Sequence, residues 1–472
     1  MSERQPLLHH AVPPEVDQSY VIPRPDIRSS PENALVDVQS DENDTTKDSG
    51  YNPSLHRTLE HPTSNLDTMI HLLKGNIGTG ILAMPGAFKH AGLYLGFVGT
   101  LIMGVICTHC MHILVNCAHE LCRRLQVPSL SFAEVAYNSF DTGPIGLRRY
   151  SSFARSAVNC FLFITQMGFC CVYFKFVALN VEQIIAHYFD KVDLHVYIFI
   201  VLLFALIILN LVRNLKYLTP VSFFAALLTV IGLSFTFYYM LQDLPRPSSV
   251  RPIAPWAELP LYFGTAIYAF EGIGVVLPLE NNMKTPEAFL GLTGVLNTGM
   301  VIVALLYTSV GFFGYLKYGD NVHGSITLDL PADQTLAQMV CVMMSIAIFL
   351  SYSLQFYVPM NIIQPRIQQH CATEKGRYIA DVVIRICLIT FTFVLAFIVK
   401  NLESIISLVG AVSSSTLALI APPIIEIVAF WPVGYGKWNW ILWKDIGIFL
   451  FGVFGFVFGT YASLMEIMEP VA

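Results

Sequence analysis

Two stretches of this chain set chemically useful residues inside apolar runs. The first reads HLLKGNIGTGILAMP over residues 71–85, with Gly75, Gly78 and Gly80 close together and Pro85 after them. The second reads FEGIGVVLP over residues 270–278, with Gly272, Gly274 and Pro278. Glycine weakens a helix interior and proline removes a backbone donor, so neither stretch suits an unbroken helix. Where a helix breaks, N–H and C=O groups lose their partners. The freed donors at a half-helix N-terminus suit a carboxylate, and freed carbonyls suit an ammonium. A zwitterionic amino acid presents both groups. On this reading the candidate substrate-binding residues are Gly75, Asn76, Ile77, Gly78, Thr79 and Gly80 with Phe270, Glu271, Gly272 and Gly274. The bland alternative is close helix packing at the glycines and simple kinks at the prolines. A matched pair of breaks at corresponding places in two halves points instead to a transporter site.

Ionisable residues inside apolar runs are costly and default to functional hypotheses. His71 is the candidate proton-coupling group, because an unperturbed imidazole titrates near about pH 6.5; its alternative is a structural histidine bonded to a carbonyl. Glu271, inside the second break, either takes a proton or caps the unwound backbone. Lys74 is placed to pair with Glu271 or Glu280, or to reach the interface. Lys175 and Glu182 share a helix face. Tyr173 either faces substrate or packs. Arg385, Glu403 and Glu426 read as end anchors, and Ser413, Ser414 and Ser415 as small residues for packing. Cys107 and Cys110 have CxxC spacing with His109 and His112 nearby, but no second cluster exists, so buried small hydrophobes are expected and no metal.

The elements that must position these residues follow from composition. Hydrophobic residues make up 54% of the 472 and charged residues only 13%, against about 25% charged in soluble domains. Soluble enzyme, nucleic-acid binder and disordered scaffold all fit poorly, and no nucleophile, base and orienting residue assemble in a loop. A spanning helix needs about 20 apolar residues. Eleven candidates lie at 66–90, 93–118, 156–187, 195–212, 218–241, 259–280, 288–314, 335–363, 380–399, 402–431 and 444–466. Helices rather than barrel strands are required, because the runs are long and continuous. With the N-terminus inside, the inner loops hold thirteen Lys and Arg and the outer loops six, as the positive-inside rule favours. The chain is then a multi-pass membrane protein with a cytosolic N-terminus.

Residues 1–60 are a different material. They hold eleven acidic and five basic residues, which accounts for the whole net charge of −6, and they lack apolar runs. A disordered acidic cytosolic tail is expected for 1–60 and a transmembrane domain for 61–472. The tail lacks a signal-peptide apolar core. Glu3, Leu7 and Leu8 fit an acidic dileucine pattern of the kind clathrin adaptors read for lysosomal or late endosomal sorting; the plasma membrane is the other expected home. The glycosylation sequon at Asn43 falls in this tail, so no N-glycan is expected.

The motifs also carry a likeness. HLLKGNIGTGILAMP (71–85), GFCCVYF (168–174), FGTAI (263–267), FEGIG (270–274), LPLEN (277–281), QFYVP (355–359) and SLVGAVSSS (407–415) resemble the proton-coupled amino-acid transporters of the amino acid/auxin permease family. The likeness covers about residues 64–468. It implies an all-α, LeuT-like fold of eleven helices, a 5+5 inverted repeat plus one, with helices 1 and 6 broken. It implies proton-coupled symport of small neutral amino acids such as alanine, glycine and proline into the cytosol, with protons as the coupling ion and no other cofactor. The family's essential histidine matches His71. The family's extracellular disulfide has no counterpart here, because loops 187–194 and 315–334 contain no cysteine. Some members act as amino-acid sensors that promote growth signalling with little flux, which is the alternative reading. The expected partners are small neutral amino acids, membrane lipids and a clathrin adaptor.

Overall fold

The structure is a computed structural model that describes residues 53–57, 59, 62–188, 195–211, 215–371 and 373–468. Glu3, Leu7 and Leu8 lie outside the described residues, as does nearly all of the acidic leader.

Regular structure among the described residues is helical, apart from one bridge pairing Thr63 with Met283. In chain order the helices are α1 (Asn65–Asn76), α2 (Thr79–Ala91), α3 (Leu93–Leu125), α4 (Phe132–Thr142), α5 (Ser151–Tyr188), α6 (His195–Leu211), α7 (Leu215–Leu241), α8 (Leu259–Ala269), α9 (Ile273–Asn281), α10 (Val295–Tyr318), α11 (Thr335–His370), α12 (Glu374–Ile398), α13 (Leu402–Val409), α14 (Ala421–Ala429) and α15 (Trp440–Met468). Residues 410–420 join α13 to α14 as a π-helical stretch. Nine helical segments among the described residues are long and apolar enough to cross a membrane. Beside them stand the shorter apolar helix α6 and the broken pair α1 and α2.

Local sequence explains the boundaries. Ser64 caps α1: its hydroxyl accepts from the Asp67 N–H at 3.2 Å, and its own N–H donates to the Asp67 carboxylate at 3.2 Å, a reciprocal capping box. The turn between α2 and α3 runs through Gly92 at φ +83, where a Cβ would stand 2.6 Å from the Ile253 Cα; only glycine suits both demands.

Three features differ from the sequence-based expectation. First, α3 runs to Leu125 rather than stopping near 118, so Cys122 is a buried helical residue and not part of a loop. Hydropathy ends early there because Glu120, Arg123 and Arg124 are charged. They pair along the helix, with Arg124 Nε 2.7 Å from Glu120, and so sustain the turns. Second, α4 was not expected. It is too short to span, starts from a second capping box of Ser131 and Glu134, and packs beside α5, α14 and α3. Third, regular structure occurs before residue 61: Pro53–His56 form a helical turn, and Arg57 docks onto the helices.

The core gathers around α2, α5, α8 and α10, where Phe88, Phe174, Phe270 and Tyr307 are fully buried. α2 packs on α8 and α10, and α11 packs on α5 and α7. The outer helices invert the usual pattern of a soluble protein. Phe204, Phe223, Phe391, Phe454 and many neighbours are exposed, far more apolar surface than a soluble monomer tolerates. Lipid acyl chains cover such a surface without cost.

The two ends of the bundle are distinct. At one end, here called proximal, the start of α1 meets the ends of α9 and α3. Thr63 N–H donates to the Asn282 carbonyl at 2.8 Å, and Lys284 N–H to the Thr63 carbonyl at 2.9 Å. At the other, distal end, the end of α2 meets residues 251–254, the start of α13 and the end of α15.

Candidate transport site

Both expected breaks are present. α1 stops at Asn76 and α2 begins after Gly78, which has φ −146 and ψ −143. α8 stops at Ala269 and α9 begins after Gly272, with φ −125 and ψ 0. The structure brings the two breaks into contact. A Cβ on Gly80 would stand 2.7 Å from the Ala269 Cα, and one on Gly272 would stand 2.8 Å from the Asn76 Oδ1. The glycines are therefore where one broken helix crosses the other, and both functions expected of them, packing and interruption, are served at once.

Tyr307, on α10, closes the arrangement. Its hydroxyl lies 2.5 Å from the Asn76 carbonyl and 2.8 Å from the Ala269 carbonyl. These carbonyls belong to the C-terminal residues of the two half-helices. One buried O–H thus serves two freed acceptors that no N–H of their own helix reaches. Thr79 and Tyr268 hydrogen-bond across the same crossing through their hydroxyls at 2.8 Å. Phe270 packs on the Tyr307 ring at 4.9 Å between centroids. No sequence signal marked Tyr307 or Tyr268, since each tyrosine sits in an apolar run like many others.

Replacing Tyr307 with phenylalanine leaves both carbonyls short of their donor at a cost of about 1 to 3 kcal/mol. The expected outcome is transport slowed from about fivefold to more than about a hundredfold, measured as an initial rate on protein of unchanged monodispersity. Uptake at the wild-type rate would show that the bridge is dispensable.

The remaining candidates fall around this centre. Asn76, Thr79, Gly80, Phe270, Glu271 and Gly272 are buried, Ile77, Gly78 and Gly274 are half-buried, and Gly75 is exposed. Tyr173, on α5, is buried and accepts a hydrogen bond from Gln355 at 3.3 Å, and a Cβ on Gly78 would stand 3.0 Å from its hydroxyl. Tyr173 therefore reaches the first break. Glu271 is 9% exposed and its Oε2 has no hydrogen-bond partner. The Ser414 hydroxyl lies beside it without completing a bond. The serines of 413–415 thus divide: Ser413 and Ser415 donate to the carbonyls of Val409 and Ala411 on their own helix, while Ser414 turns toward the second break.

His71 lies apart from this buried centre. It is exposed on α1, on the same face as Gly75 one turn later, with Asp67 one turn before it. Lys74 does not pair with either expected carboxylate; it donates to the Ser222 hydroxyl on α7. Glu280 is taken by Arg57 and His119, with Arg57 Nη1 at 3.1 Å and His119 Nε2 at 2.9 Å.

The other ionisable residues are paired within or between helices. Glu182 meets His195 on α6 at 2.8 Å, and the Lys175 ammonium lies 5.1 Å from the Phe199 ring centre. Arg385 pairs with Asp381 at 3.0 Å, and Lys444 with Glu426 at 2.7 Å. The cysteines of the CxxC spacing are buried and free, and His112 bonds Asn297 at 2.7 Å. Cys160 and Cys387 are exposed. In the loop before α11, the hydrogen bond that His323 Nδ1 donates to the Asp329 carboxylate holds the imidazole above its ordinary range. A polar cavity of about 660 Å³ opens between the ends of α11 and α12, lined by Tyr357, Asn361, Gln364, Arg377, Asp381 and Arg385, away from the two breaks.

Comparison with known proteins places this geometry. The family described as transmembrane amino acid transporter protein matches residues 61–465. The chain is 42% identical over 432 residues, 91% of each sequence, to the proton-coupled amino acid transporter-like protein pathetic of Drosophila melanogaster. It is 25% identical to the probable amino acid transporter skat-1 of Caenorhabditis elegans, over 85% of this chain and 89% of the relative. Among solved structures it resembles Mhp1, a nucleobase-cation-symport-1 family transporter, in a closed conformation, with TM-score 0.52 at 14% identity over 90% of this chain and 94% of that one. The inward-facing conformation of Mhp1 matches with TM-score 0.50 at 13% identity, over 87% and 91%. The fold is therefore the LeuT-like one, and these relatives and neighbours are described as transporters, not enzymes. The chain belongs to the transmembrane amino acid transporter family, within the amino acid/auxin permeases, and is a multi-pass membrane protein.

Proposed function

We propose that this protein is a secondary active transporter that carries a small neutral amino acid into the cytosol together with a proton. The observation that carries the reading is the contact between the two helix breaks, clasped by Tyr307. The N-terminus of α2 offers free N–H groups and a positive dipole end to a substrate carboxylate. The C-terminal carbonyls of α1 and α8 are the matching acceptors for an ammonium. The tight crossing of the breaks, where Gly80 lies against the Ala269 backbone and Gly78 against the Tyr173 hydroxyl, supports small substrates of the alanine, glycine or proline type. The relative described as proton-coupled amino acid transporter-like supports the coupling ion.

Two groups are proposed for the proton. Glu271 is buried, with no cation hydrogen-bonded to it among the described residues. A carboxylate so placed needs a proton or a cation to offset desolvation, and a substrate ammonium is such a cation. His71 stands one turn before Gly75 on the exposed face of α1 and is the second group proposed to carry the proton. Under the N-inside orientation, the proximal end faces the cytosol.

The test is uptake of radiolabelled alanine, glycine and proline into proteoliposomes at two outside pH values. Acidic outside pH is expected to raise uptake, and His71→Ala to remove that stimulation. Wild-type uptake indifferent to pH would overturn the coupling, and no uptake of any of the three would overturn the substrate class.

A further inference from the structure

At the distal end, far from the breaks, three helices deliver ligands to one point: His90 from the end of α2, Glu403 from the start of α13 and Glu466 from the end of α15. One ligand atom of each lies within 4.8 Å of the others. We propose that these three side chains form a divalent-cation site suited to zinc.

Geometry supports this first. Tetrahedral zinc with bonds of about 2.0 to 2.2 Å places two ligand atoms about 3.3 to 3.6 Å apart, so side-chain shifts of about 1 to 1.5 Å from the observed spacing of at most 4.8 Å close the set. His90 Nε2 already lies 2.7 Å from Glu403 Oε1. Burial supports it second. His90 is 7% exposed, and its ring is held between helices rather than in water.

Hydrogen-bond accounting supports it third. Glu466 Oε2 is buried without a partner. The Ser404 hydroxyl, fully buried next to Glu403 and beside Glu466, makes no hydrogen bond either. Buried polar atoms are nearly always satisfied, and each exception calls for a reason. A cation between the carboxylates removes the exception at Glu466 and reorients that oxygen toward a ligand bond.

The outer partner is also in place. His90 Nδ1 lies 3.5 Å from Glu258 Oε2 and forms no hydrogen bond as it stands. Ligating histidines characteristically present their second nitrogen to a carboxylate, which fixes the ring and raises its basicity. Glu258 is itself held by Arg251 at 3.4 Å, and Arg251 is shared with Asp320 at 2.8 Å. Lys89 Nζ, 3.9 Å from Glu403 Oε2 and 27% exposed, is the cation that a metal ion would displace toward solvent. His323 lies nearby, but its Nδ1 is engaged by Asp329 at 2.5 Å. One imidazole with two carboxylates selects zinc over magnesium and calcium, which prefer oxygen alone.

The experiment uses the full chain, purified in detergent and stripped with EDTA, titrated calorimetrically with zinc chloride and, separately, magnesium chloride. One zinc per chain is expected, with no magnesium binding. His90→Ala and Glu466→Gln are each expected to weaken zinc at least about tenfold, the loss that even an outer partner's removal produces. Zinc absorption spectroscopy on the wild type reports the shell independently of any variant, and nitrogen and oxygen neighbours at about 2.0 to 2.2 Å are expected. A wild type that binds no zinc, variants that bind it equally well, or sulfur in the shell would each overturn the site. None of these readouts depends on transport.

Discussion

Replacing Glu280 with alanine is expected to destabilise the folded protein by about 3 to 5 kcal/mol, the range for stranding one partner of a buried ion pair. The pair is deeply set: the side chains of Arg57 and Glu280 are 5% and 1% exposed. Arg57 engages both carboxylate oxygens, with Nη1 to Oε1 at 3.1 Å and Nη2 to Oε2 at 3.2 Å. His119 adds a third contact from α3, and Arg57 Nε donates to the Pro128 carbonyl at 2.9 Å. The alanine variant keeps the guanidinium but removes what compensates it. The segment around residues 57–63 then has one route to relief, which is to undock and hydrate Arg57. Thermal unfolding in detergent checks the stability, and limited proteolysis near Arg57 checks the undocking. The double variant Arg57→Ala with Glu280→Ala is expected to lose less than Glu280→Ala alone, because no charge is left stranded. A Glu280→Ala protein as stable as the wild type would show that the pair contributes nothing net. The same lock ties α9, the second half of a broken helix, to the segment at Arg57 that precedes α1. Undocking is therefore expected to alter uptake as well as stability.

Gly410→Ala is expected to cost about 3 kcal/mol or more, at the upper end of overpacking, and to abolish uptake. A Cβ on Gly410 would overlap the Gly264 carbonyl oxygen, and one on Gly264 would overlap the Ser407 carbonyl oxygen. α8 and the start of the π-helical stretch thus touch backbone to backbone. A clash with a side chain is relieved by a rotamer change, whereas a clash with backbone is relieved only by moving a helix. Moving α8 displaces Phe270 and Glu271, because both lie just past its last turn. Gly447→Ala on α15 is the control. A Cβ there meets nothing within 4 Å, so a stabilisation of about 0.5 to 1 kcal/mol is expected. Thermal unfolding and uptake of the three proteins side by side decide the matter. Gly410→Ala behaving like Gly447→Ala would refute the backbone-contact argument.

Much of the architecture was readable from residues because it rests on short-range rules. The solvent is set by composition: too few charges exist to cover a surface in water. The spans follow from run length, and the breaks and ends set by Gly and Pro agree closely with it. α3 runs past its expected end because hydropathy falls at Glu120, Arg123 and Arg124 while their pairing along the helix sustains its turns. The breaks at Gly78 and Gly272 were readable because glycine and proline act locally on the backbone. α4 was missed because its apolar face serves packing rather than spanning, and its capping box was the signal that marked it.

Contacts between distant residues were not readable. Lys74 meets Ser222 rather than a carboxylate, and Glu280 is held by Arg57 and His119. Tyr307 reaches across both breaks, and His90 meets Glu403 and Glu466 at the distal end. Each depends on how helices cross, which no periodicity reports. The sequence by itself determined that this chain lives in a membrane and interrupts two helices there. Only the tertiary structure decided that the interruptions face each other, because backbone groups freed by a break have no directional partner until another helix supplies one.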